Sequence, residues 1–280
     1  MNRIARTVAF VCVAAVLVAV IGSQTEAQQK QVVVVRGDAA VAHLMDDLAQ
    51  SFMRDHTDYS VVVSGGAASG AVEALLAGEA QVWMSAQNIS PDEEQLAEAK
   101  GAKLVSRLVD WEGLAIICHP SNPVEKLTLD QVRDLFTGRT ANWSQVKGKS
   151  AKVDLVVIET PRSGIGTYFN ETALGKSPVS PSARILRYFK NIVSEVANDP
   201  NAIGYAPIRF VELAKGKEDV KVLAVARSEL HAYVVPSVQT IKDRSYLLIT
   251  PLFLFYDENS KFPGPKTLVD YCMQKRLLGQ

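Results

Sequence analysis

The segment Glu159-Thr160-Pro161-Arg162-Ser163-Gly164-Ile165-Gly166-Thr167-Tyr168-Phe169 decides how the rest of the chain is interpreted. It follows residues 153–158, a run rich in β-branched side chains that predicts a buried strand, and it precedes a segment that can form a helix. The first N–H groups of a helix lack partners inside the helix and lie at the positive end of its dipole. Gly164 and Gly166 allow close backbone approach, so this junction is a candidate anion site.

The side chains around these glycines can complete such a site. Ser163 and Thr167 offer hydroxyl groups, and Arg162 offers a planar cation, all of which bind oxyanions in proteins. Glycine-rich turns between strands and helices also occur without any ligand. The segment alone therefore leaves two interpretations open, an anion site and a plain turn.

The amino terminus has the order of parts found in a secretory signal peptide. Arg3 and Arg6 precede an uncharged apolar run at residues 8–21, and a polar stretch ends at Ala27. The apolar run has fourteen residues, whereas a membrane span needs about 20. We expect residues 1–27 to be removed near Ala27 and the mature protein to be soluble in the periplasm. The alternative is an uncleaved amino-terminal anchor.

Charge and length limit the class of protein. The chain has 30 basic and 30 acidic residues, and loss of residues 1–27 removes two of the former and one of the latter, leaving 28 and 29. Such balance argues against nucleic acid and against an anionic membrane surface as partners. The length suffices for two small domains, and we expect a monomer.

The first half of the chain alternates strands and helices. Residues 32–35, four valines, predict a strand buried on both faces, and residues 59–63 and 82–85 predict two more strands. Each is followed by a predicted helix, which implies an α/β fold with a parallel sheet. The loops near Asp38 and Ser69, and the one after residues 82–85, should therefore open at one edge of the sheet, where ligands bind.

The second half shows a restart of the same alternation. Residues 103–110 and 113–118 predict two strands broken by Trp111-Glu112. Beyond them the chain continues with two predicted helices, one capped at Thr128 and one with Ile185 on its apolar face, then a return strand at 245–256 and a terminal helix at 267–278. We therefore predict two domains with these ranges: 28–116 plus 225–280 for domain I, and 117–224 for domain II.

Two motifs are specific enough to suggest a family, LTLDQVRDLFTG at 127–138 and SGIGTYF at 163–169. Shorter segments support them at 64–66, 71–75, 84–85, 112–117, 142–143, 203–205 and 246–252. In this order the chain resembles the phosphate-binding periplasmic proteins of ABC transporters, over nearly all of its mature length, as a divergent member. The resemblance implies a type II periplasmic-binding-protein fold, with a cleft between two open sheets joined by crossing strands.

The same resemblance implies a function and a set of ligand residues. The protein is expected to capture phosphate or a related oxyanion for a membrane ABC permease, without a cofactor and without catalysis. No nucleophile elbow or Cys–His neighbourhood suggests an enzyme. The expected ligand residues are Asp38, Ala39, Ser69, Ser85, Arg162, Ser163, Gly164, Gly166 and Thr167.

Several positions depart from the family pattern. Asp38 stands where a hydroxyl residue usually follows the glycine of the first strand, and Ile165 stands where a serine usually separates the two glycines. Ala68 and Ala86 likewise replace polar residues, and each lost hydrogen bond to a buried anion weakens binding by roughly 1.5–3 kcal/mol. The alternative function is therefore the same fold with a less polar cargo, or with a sensor or interaction role.

Other residues have structural explanations. Asp38 can serve as a helix cap instead of a ligand residue. The four histidines are scattered without the spacing of metal ligands. Cys118 and Cys272 lie in apolar surroundings on different predicted domains, and we expect two free thiols.

Overall fold

Strands and helices alternate along the chain in the computed structural model, which describes residues 30–66, 69–160, 163–216 and 219–277. The predicted signal peptide at 1–27 lies outside these residues. The strands are β1 (Gln31–Asp38), β2 (Tyr59–Gly66), β3 (Val82–Ser85), β4 (Leu104–Cys118), β5 (Lys126–Thr128), β6 (Asp154–Ile158), β7 (Arg184–Leu186), β8 (Ala202–Pro207), β9 (Lys221–Val222), β10 (Ala224–Ala226) and β11 (Ile249–Asp257). The helices are α1 (Ala39–Asp55), α2 (Ala71–Leu76), α3 (Pro91–Ala99), α4 (Leu129–Phe136), α5 (Gly164–Thr172), α6 (Phe189–Asn198), α7 (Ile208–Ala214), α8 (Val238–Lys242) and α9 (Gly264–Leu277), with a 3₁₀ turn at Trp143–Val146.

The strands follow one hydrogen-bonded path in the order β2-β1-β3-β11-β4-β8-β6-β7. β9 pairs with β4 beside this path, and β10 pairs with β5 in a separate two-stranded sheet. β1 is parallel to β2 and β3, and β6 is parallel to β7 and β8. These pairs confirm the parallel arrangement predicted from the β-α alternation. β11 and β4 run antiparallel to their neighbours and join the two parallel groups.

The two faces of β1 differ in burial. Val33 and Val35 are fully buried, whereas the side chain of Val32 is 49% exposed. Successive side chains of a strand point to opposite faces, so the valine run presents two different environments. The prediction that residues 32–35 are buried on both faces is therefore wrong at Val32.

β4 is a single strand that passes through Trp111-Glu112. Leu104–Gly113 pairs with β11, and Leu114–Cys118 pairs with β8. The prediction of two strands with a break is wrong, because Trp111 and Glu112 stay in register with Pro251 and Thr250 of β11. β4 therefore connects the two groups of parallel strands through antiparallel pairing with β11 and with β8.

Two boundaries in the second half also differ from prediction. Ile185 lies in β7, where it pairs with Val157 and is 67% exposed, so it does not belong to the apolar face of a helix. That helix, α6, begins at Phe189. The return strand begins at Ile249 and not at 245, because the chain first turns back on α8: the N–H of Tyr246 donates to the Thr240 carbonyl at 3.0 Å, and the N–H of Ser245 donates to Asp243 Oδ1 at 2.9 Å.

A cluster of aromatic rings holds the helix that begins in the glycine-rich segment. Phe169 of α5 stacks on Tyr205 of β8 with ring centroids 3.8 Å apart, and Phe136 meets Phe169 edge to face at 5.0 Å. All three rings are buried. Aromatic packing of this kind adds to the free energy of area burial, so α5 is fixed against β8 and α4.

None of the described helices is both long enough and apolar enough to cross a membrane.

Cys118 on β4 and Cys272 on α9 are free and buried, which confirms the prediction of two free thiols. Burial raises the pKa of each thiol to about 12. A thiol that stays protonated reacts slowly, because the thiolate is the nucleophile. Both groups are therefore unreactive in the folded protein.

We predict for the protein produced without residues 1–27, which contain Cys12, that iodoacetamide labels neither Cys118 nor Cys272 in the folded state within the time that labels a small thiol completely. After unfolding in urea without reductant, both should react. Intact-mass measurement decides, with two added groups expected in urea. An unfolded, unreduced protein with no mass gain would contradict the assignment of free thiols.

A buried carboxylate lies on β4 at the point where its partner changes. Glu112 is 2% exposed; its Oε1 accepts from the backbone N–H of Gly113 at 3.1 Å, and its Oε2 pairs with Arg209 Nε at 3.1 Å. Arg209 also pairs with Asp110, Nη2 to Oδ2 at 2.8 Å. Desolvation raises the pKa of Glu112 to about 7, with the Asp110 charge adding to the rise and Arg209 opposing it. Two carboxylates thus share one guanidinium.

We predict that the free energy of unfolding falls as the pH rises from about 5 to about 8. The pKa of Glu112 in the folded protein is about 7, whereas in an unfolded chain it is about 4.3. The protonated carboxyl therefore stabilises the folded state at low pH, and this stabilisation is lost as the pH rises through the folded pKa. Urea unfolding at several pH values measures the slope.

The Glu112→Gln variant should show a flatter slope, because the titrating group is gone. Glu125→Gln provides the matched control, since Glu125 is 73% exposed and pairs with Lys221 on the surface. This control should keep the slope of the unmodified protein. Equal slopes in all three proteins would contradict the assignment to Glu112.

Candidate functional site

Three strand-to-helix loops meet at the carboxyl ends of β1, β3 and β6. Gly37 makes this possible at the end of β1, because a Cβ there would lie 2.0 Å from the carbonyl oxygen of Met84 on β3. Gly164 at the start of α5 lies close to both loops. A Cβ on Gly164 would lie 2.9 Å from Asp38 Oδ2 and 3.4 Å from the Ala86 Cβ. The loops after β1 and β3 thus lie together, as predicted for two of the three loops, and the start of α5 lies against both.

Asp38 connects two of the loops through its carboxylate. Oδ1 accepts from the backbone N–H of Ala40 at 3.0 Å and so caps α1. Oδ2 accepts from the backbone N–H of Gly164 at 2.8 Å, a bond between residues 126 positions apart. The side chain is only 1% exposed. Asp38 is therefore a helix cap, as one interpretation of the sequence predicted, and also a contact of the glycine-rich segment.

Three N–H groups at the start of α5 have partners within the chain. Gly164 donates to Asp38 Oδ2. Gly166 donates to Ser163 Oγ at 3.2 Å, and Thr167 donates to the Ser163 carbonyl at 3.0 Å. The donors that the sequence assigned to an external anion are thus engaged by Asp38 and Ser163.

The hydroxyl groups predicted to contact a ligand make local hydrogen bonds. Ser163 is the N-cap of α5 and is 5% exposed, while the Thr167 hydroxyl donates to the Ser163 carbonyl at 3.3 Å. Ser85 is 4% exposed, and its Oγ accepts from the backbone N–H of Gln87 at 3.0 Å. These bonds shape the turns, and the hydrogens of the Ser163 and Ser85 hydroxyls can still be donated elsewhere.

Ser69 and Ala39 stand apart from this buried group. Ser69 is exposed and lies in a bend before Gly70, which begins α2 with φ 95° and no side-chain cap. Ala39 is exposed at the first position of α1, next to Gly65. Arg162 lies outside the described residues. The structure therefore brings Asp38, Ser163, Gly164, Gly166 and Thr167 together, with Ser85 on the neighbouring loop.

Burial and hydrogen bonding act in opposite directions on Asp38. Desolvation raises the pKa of its carboxyl, while hydrogen bonds from the N–H groups of Ala40, Gly164 and Ile165 lower it. The net shift is upward, so the loss of water outweighs three backbone donors. The backbone N–H group of Gly164 that faces this carboxyl group lies at the positive end of the α5 dipole.

Two contacts near this site were not predicted from the sequence. Ala86 and Gln87 border Gly164, and the Ala86 carbonyl accepts from the buried hydroxyl of Thr250 at 3.2 Å. Thr250 lies on β11, far from the motifs in sequence, and no local pattern distinguishes it from a core residue. The sequence did single out Asp38, because an acidic residue stands where the resembled family has a hydroxyl residue.

A cavity of about 560 Å³ lies elsewhere, against β4, α1, α7 and α8. Trp111, Glu112 and Arg209 form part of its wall. Of the predicted ligand residues that the structure describes, none lines it. Within the described parts of the chain, no three His, Cys, Asp or Glu side chains are grouped so that they could hold a metal ion.

Comparison with known proteins places these features in context. A family model described as the PBP superfamily domain matches residues 22–276. Protein SphX of Synechococcus elongatus is 27% identical over 270 residues, which cover 94% of this chain and 79% of that protein. The phosphate-binding protein PstS of Staphylococcus epidermidis is 28% identical over 231 residues, covering 80% of this chain and 68% of that protein.

Solved structures agree with this result. A putative phosphate ABC transporter substrate-binding protein from Clostridium perfringens, with bound phosphate, superimposes with a TM-score of 0.73 at 24% identity, covering 89% of this chain and 97% of that one. An ABC-type phosphate transport receptor from Vibrio cholerae gives 0.67 at 24% identity, covering 88% and 97%. These likenesses confirm the predicted α/β fold of the periplasmic-binding-protein class.

We predict that Gly164→Ala lowers the free energy of unfolding by about 1–3 kcal/mol, because the new Cβ overpacks against a buried carboxylate. Gly66→Ala is the matched control, since nothing lies within 4 Å of a Cβ built there, and it should stay within about 0.5 kcal/mol. Urea unfolding measures both.

A double-mutant cycle identifies the cause. In an Asp38→Ser background, Gly164→Ala should cost less, because the shorter side chain no longer reaches Gly164. An equal cost in both backgrounds would place the strain elsewhere.

Proposed function

The chain belongs to the PBP superfamily, and we propose that it is an exported solute-binding protein that captures phosphate or a related oxyanion for a membrane ABC permease. It acts by binding and not by catalysis. Its ligand site is the convergence of the β1–α1, β3–α3 and β6–α5 loops.

The observation that carries this proposal is the contact between the start of α5 and Asp38. A carboxylate is itself an oxygen anion, and it is held by the N–H of Gly164 at 2.8 Å in a place that is almost fully buried. Backbone donors at a helix start bind phosphate, sulfate and carboxylate by the same geometry. The site therefore has the chemistry that an oxyanion requires.

The relatives support the choice of phosphate. PstS of Staphylococcus epidermidis is named as a phosphate-binding protein, and the superimposed protein from Clostridium perfringens holds phosphate. The sequence identity to both proteins is low, 28% and 24%. Phosphate is therefore proposed as the ligand of this chain and is not concluded from the names of its relatives. Export through a signal peptide at 1–27, location in the periplasm and a monomeric state complete the proposal.

We further propose that the chain has two domains that close over the ligand, 28–116 plus 225–280 and 117–224. The change of partner along β4, from β11 to β8 after Gly113, supports a crossing near the first boundary. β10 (Ala224–Ala226) pairs with β5 (Lys126–Thr128) in the separate two-stranded sheet, so the start of the last segment contacts the segment proposed as domain II.

The same fold with a less polar cargo, or with a sensor or interaction role, is the second candidate. Ile165 is fully buried, Ala86 is 2% exposed, and both stand where the resembled family has polar residues. Apolar side chains at these positions reduce the number of groups that can bind an oxyanion. The two candidates differ in one measurable property, the response to phosphate.

We predict that phosphate at millimolar concentration raises the melting temperature of the mature protein. A ligand that binds only the folded form adds RT ln(1 + [L]/Kd) to stability, about 2.7 kcal/mol at one hundred times Kd. Differential scanning fluorimetry with phosphate, sulfate and chloride at equal ionic strength measures the shift. No shift with phosphate, sulfate or a phosphonate would remove the oxyanion proposal and favour the second candidate.

Arg162→Ala should weaken phosphate binding about ten- to hundredfold, because a charge-assisted hydrogen bond is lost. Arg139→Ala is the matched control; Arg139 is 61% exposed and pairs with Asp134 on the surface. This control should bind phosphate as the unmodified protein does. Calorimetric titration of both variants separates them, and equal affinities would mean that the backbone donors alone hold the anion.

A further inference from the structure

We propose that Asp38 is an internal ligand of the α5 amino terminus, with its carboxylate occupying the N–H groups at which an external oxyanion binds. An oxyanion must then displace Asp38 before it can use these donors, so Asp38 sets the affinity of the site by competition. This inference rests on the proposed oxyanion function and adds a control on that same site.

The two oxygens of Asp38 have separate roles. Oδ1 caps α1 through Ala40, which explains a polar residue at this position. Serine, asparagine and aspartate cap helices about equally well, so capping does not require a charge or a second oxygen. Oδ2 is the oxygen that reaches Gly164, across 126 positions of sequence. The choice of aspartate thus matters for α5 and not for α1.

Two donors at the start of α5 already have side-chain acceptors. Gly164 donates to Asp38 Oδ2, and Gly166 donates to Ser163 Oγ. An incoming anion meets donors that already have partners.

Charge repulsion also prevents the ionised Asp38 carboxylate and an external oxyanion from binding the same N–H groups together. The Asp38 side chain is 1% exposed, so little water screens its charge from a second anion placed against the same amides. Like charges at hydrogen-bonding distance in such a site strongly disfavour joint ionisation. Asp38 must therefore move away, or take up a proton, when an oxyanion binds to Gly164.

Competition of this kind lowers the observed affinity. The dissociation constant rises in proportion as the binding-competent fraction falls. A variant that keeps the α1 cap and cannot occupy α5 should remove this penalty. The opposite role, in which Asp38 accepts a proton from the bound ligand, predicts a loss of affinity in the same variant.

Two variants test the inference, Asp38→Ser and Asp38→Asn. Serine caps α1 and is too short to reach Gly164, while asparagine has the shape of aspartate without its charge. Calorimetric titration with inorganic phosphate at one pH should give an affinity at least tenfold higher for both variants than for the unmodified protein. Circular dichroism establishes that each variant is folded.

Asp47→Asn is the matched control, since it removes the same charge from an exposed position on α1. Its affinity for phosphate should equal that of the unmodified protein. A gain of the same size in this control would assign the effect to net charge and overturn the role of Asp38.

The outcomes separate this inference from the proposed function. Weaker or unchanged phosphate binding in the folded Asp38 variants, with binding in the unmodified protein, overturns the inference and leaves the function standing. Binding by the variants with none in the unmodified protein upholds the internal ligand and rejects phosphate capture by the natural chain. Absence of binding in all of them overturns both.

Discussion

The hydrogen-bonded register of β4 is the constraint on which the rest of the structure depends. Residues 104–113 pair with β11, with a shift of register at Val109, and residues 114–118 pair with β8, so one strand carries the chain between two groups of parallel strands. A strand cannot change partner gradually, because each backbone N–H and C=O needs a definite acceptor or donor. Glu112 lies next to this change of partner and is bound there by Arg209 of α7. β3 pairs with β11 and β6 pairs with β8, so the two strands next to β4 carry the strands whose loops form the candidate site.

The start of α5 is bound by a carboxyl group of its own chain, because Asp38 lies against the N–H of Gly164. The helix dipole and the first N–H groups of a helix favour any oxygen anion, whether it comes from solvent or from the protein. On the proposal that this chain binds an oxyanion, its affinity depends on which of the two acceptors the amides prefer.

Local order in this protein is largely determined by short sequence patterns. The helix start at Thr128 follows from a capping box that the structure reproduces, and the cap at Ser163 lies in the predicted turn. The order of strands and helices follows from hydrophobic periodicity, and the motif at 127–138 suggested the family. These features depend on residues three or four apart, whose interactions do not require knowledge of the rest of the chain.

Long-range contacts were decided only by the tertiary structure. Trp111 and Glu112 look like a break in sequence, yet pairing with β11 keeps them inside one strand. Ile185 fits a helical face by spacing, yet pairing with Val157 places it in β7. The bond between Asp38 and Gly164 joins residues 126 positions apart, so no local pattern specifies it. The sequence by itself determined the family and the order of most elements. Packing determined that Asp38 and Gly164 bind each other, because a buried carboxylate takes the nearest available donors.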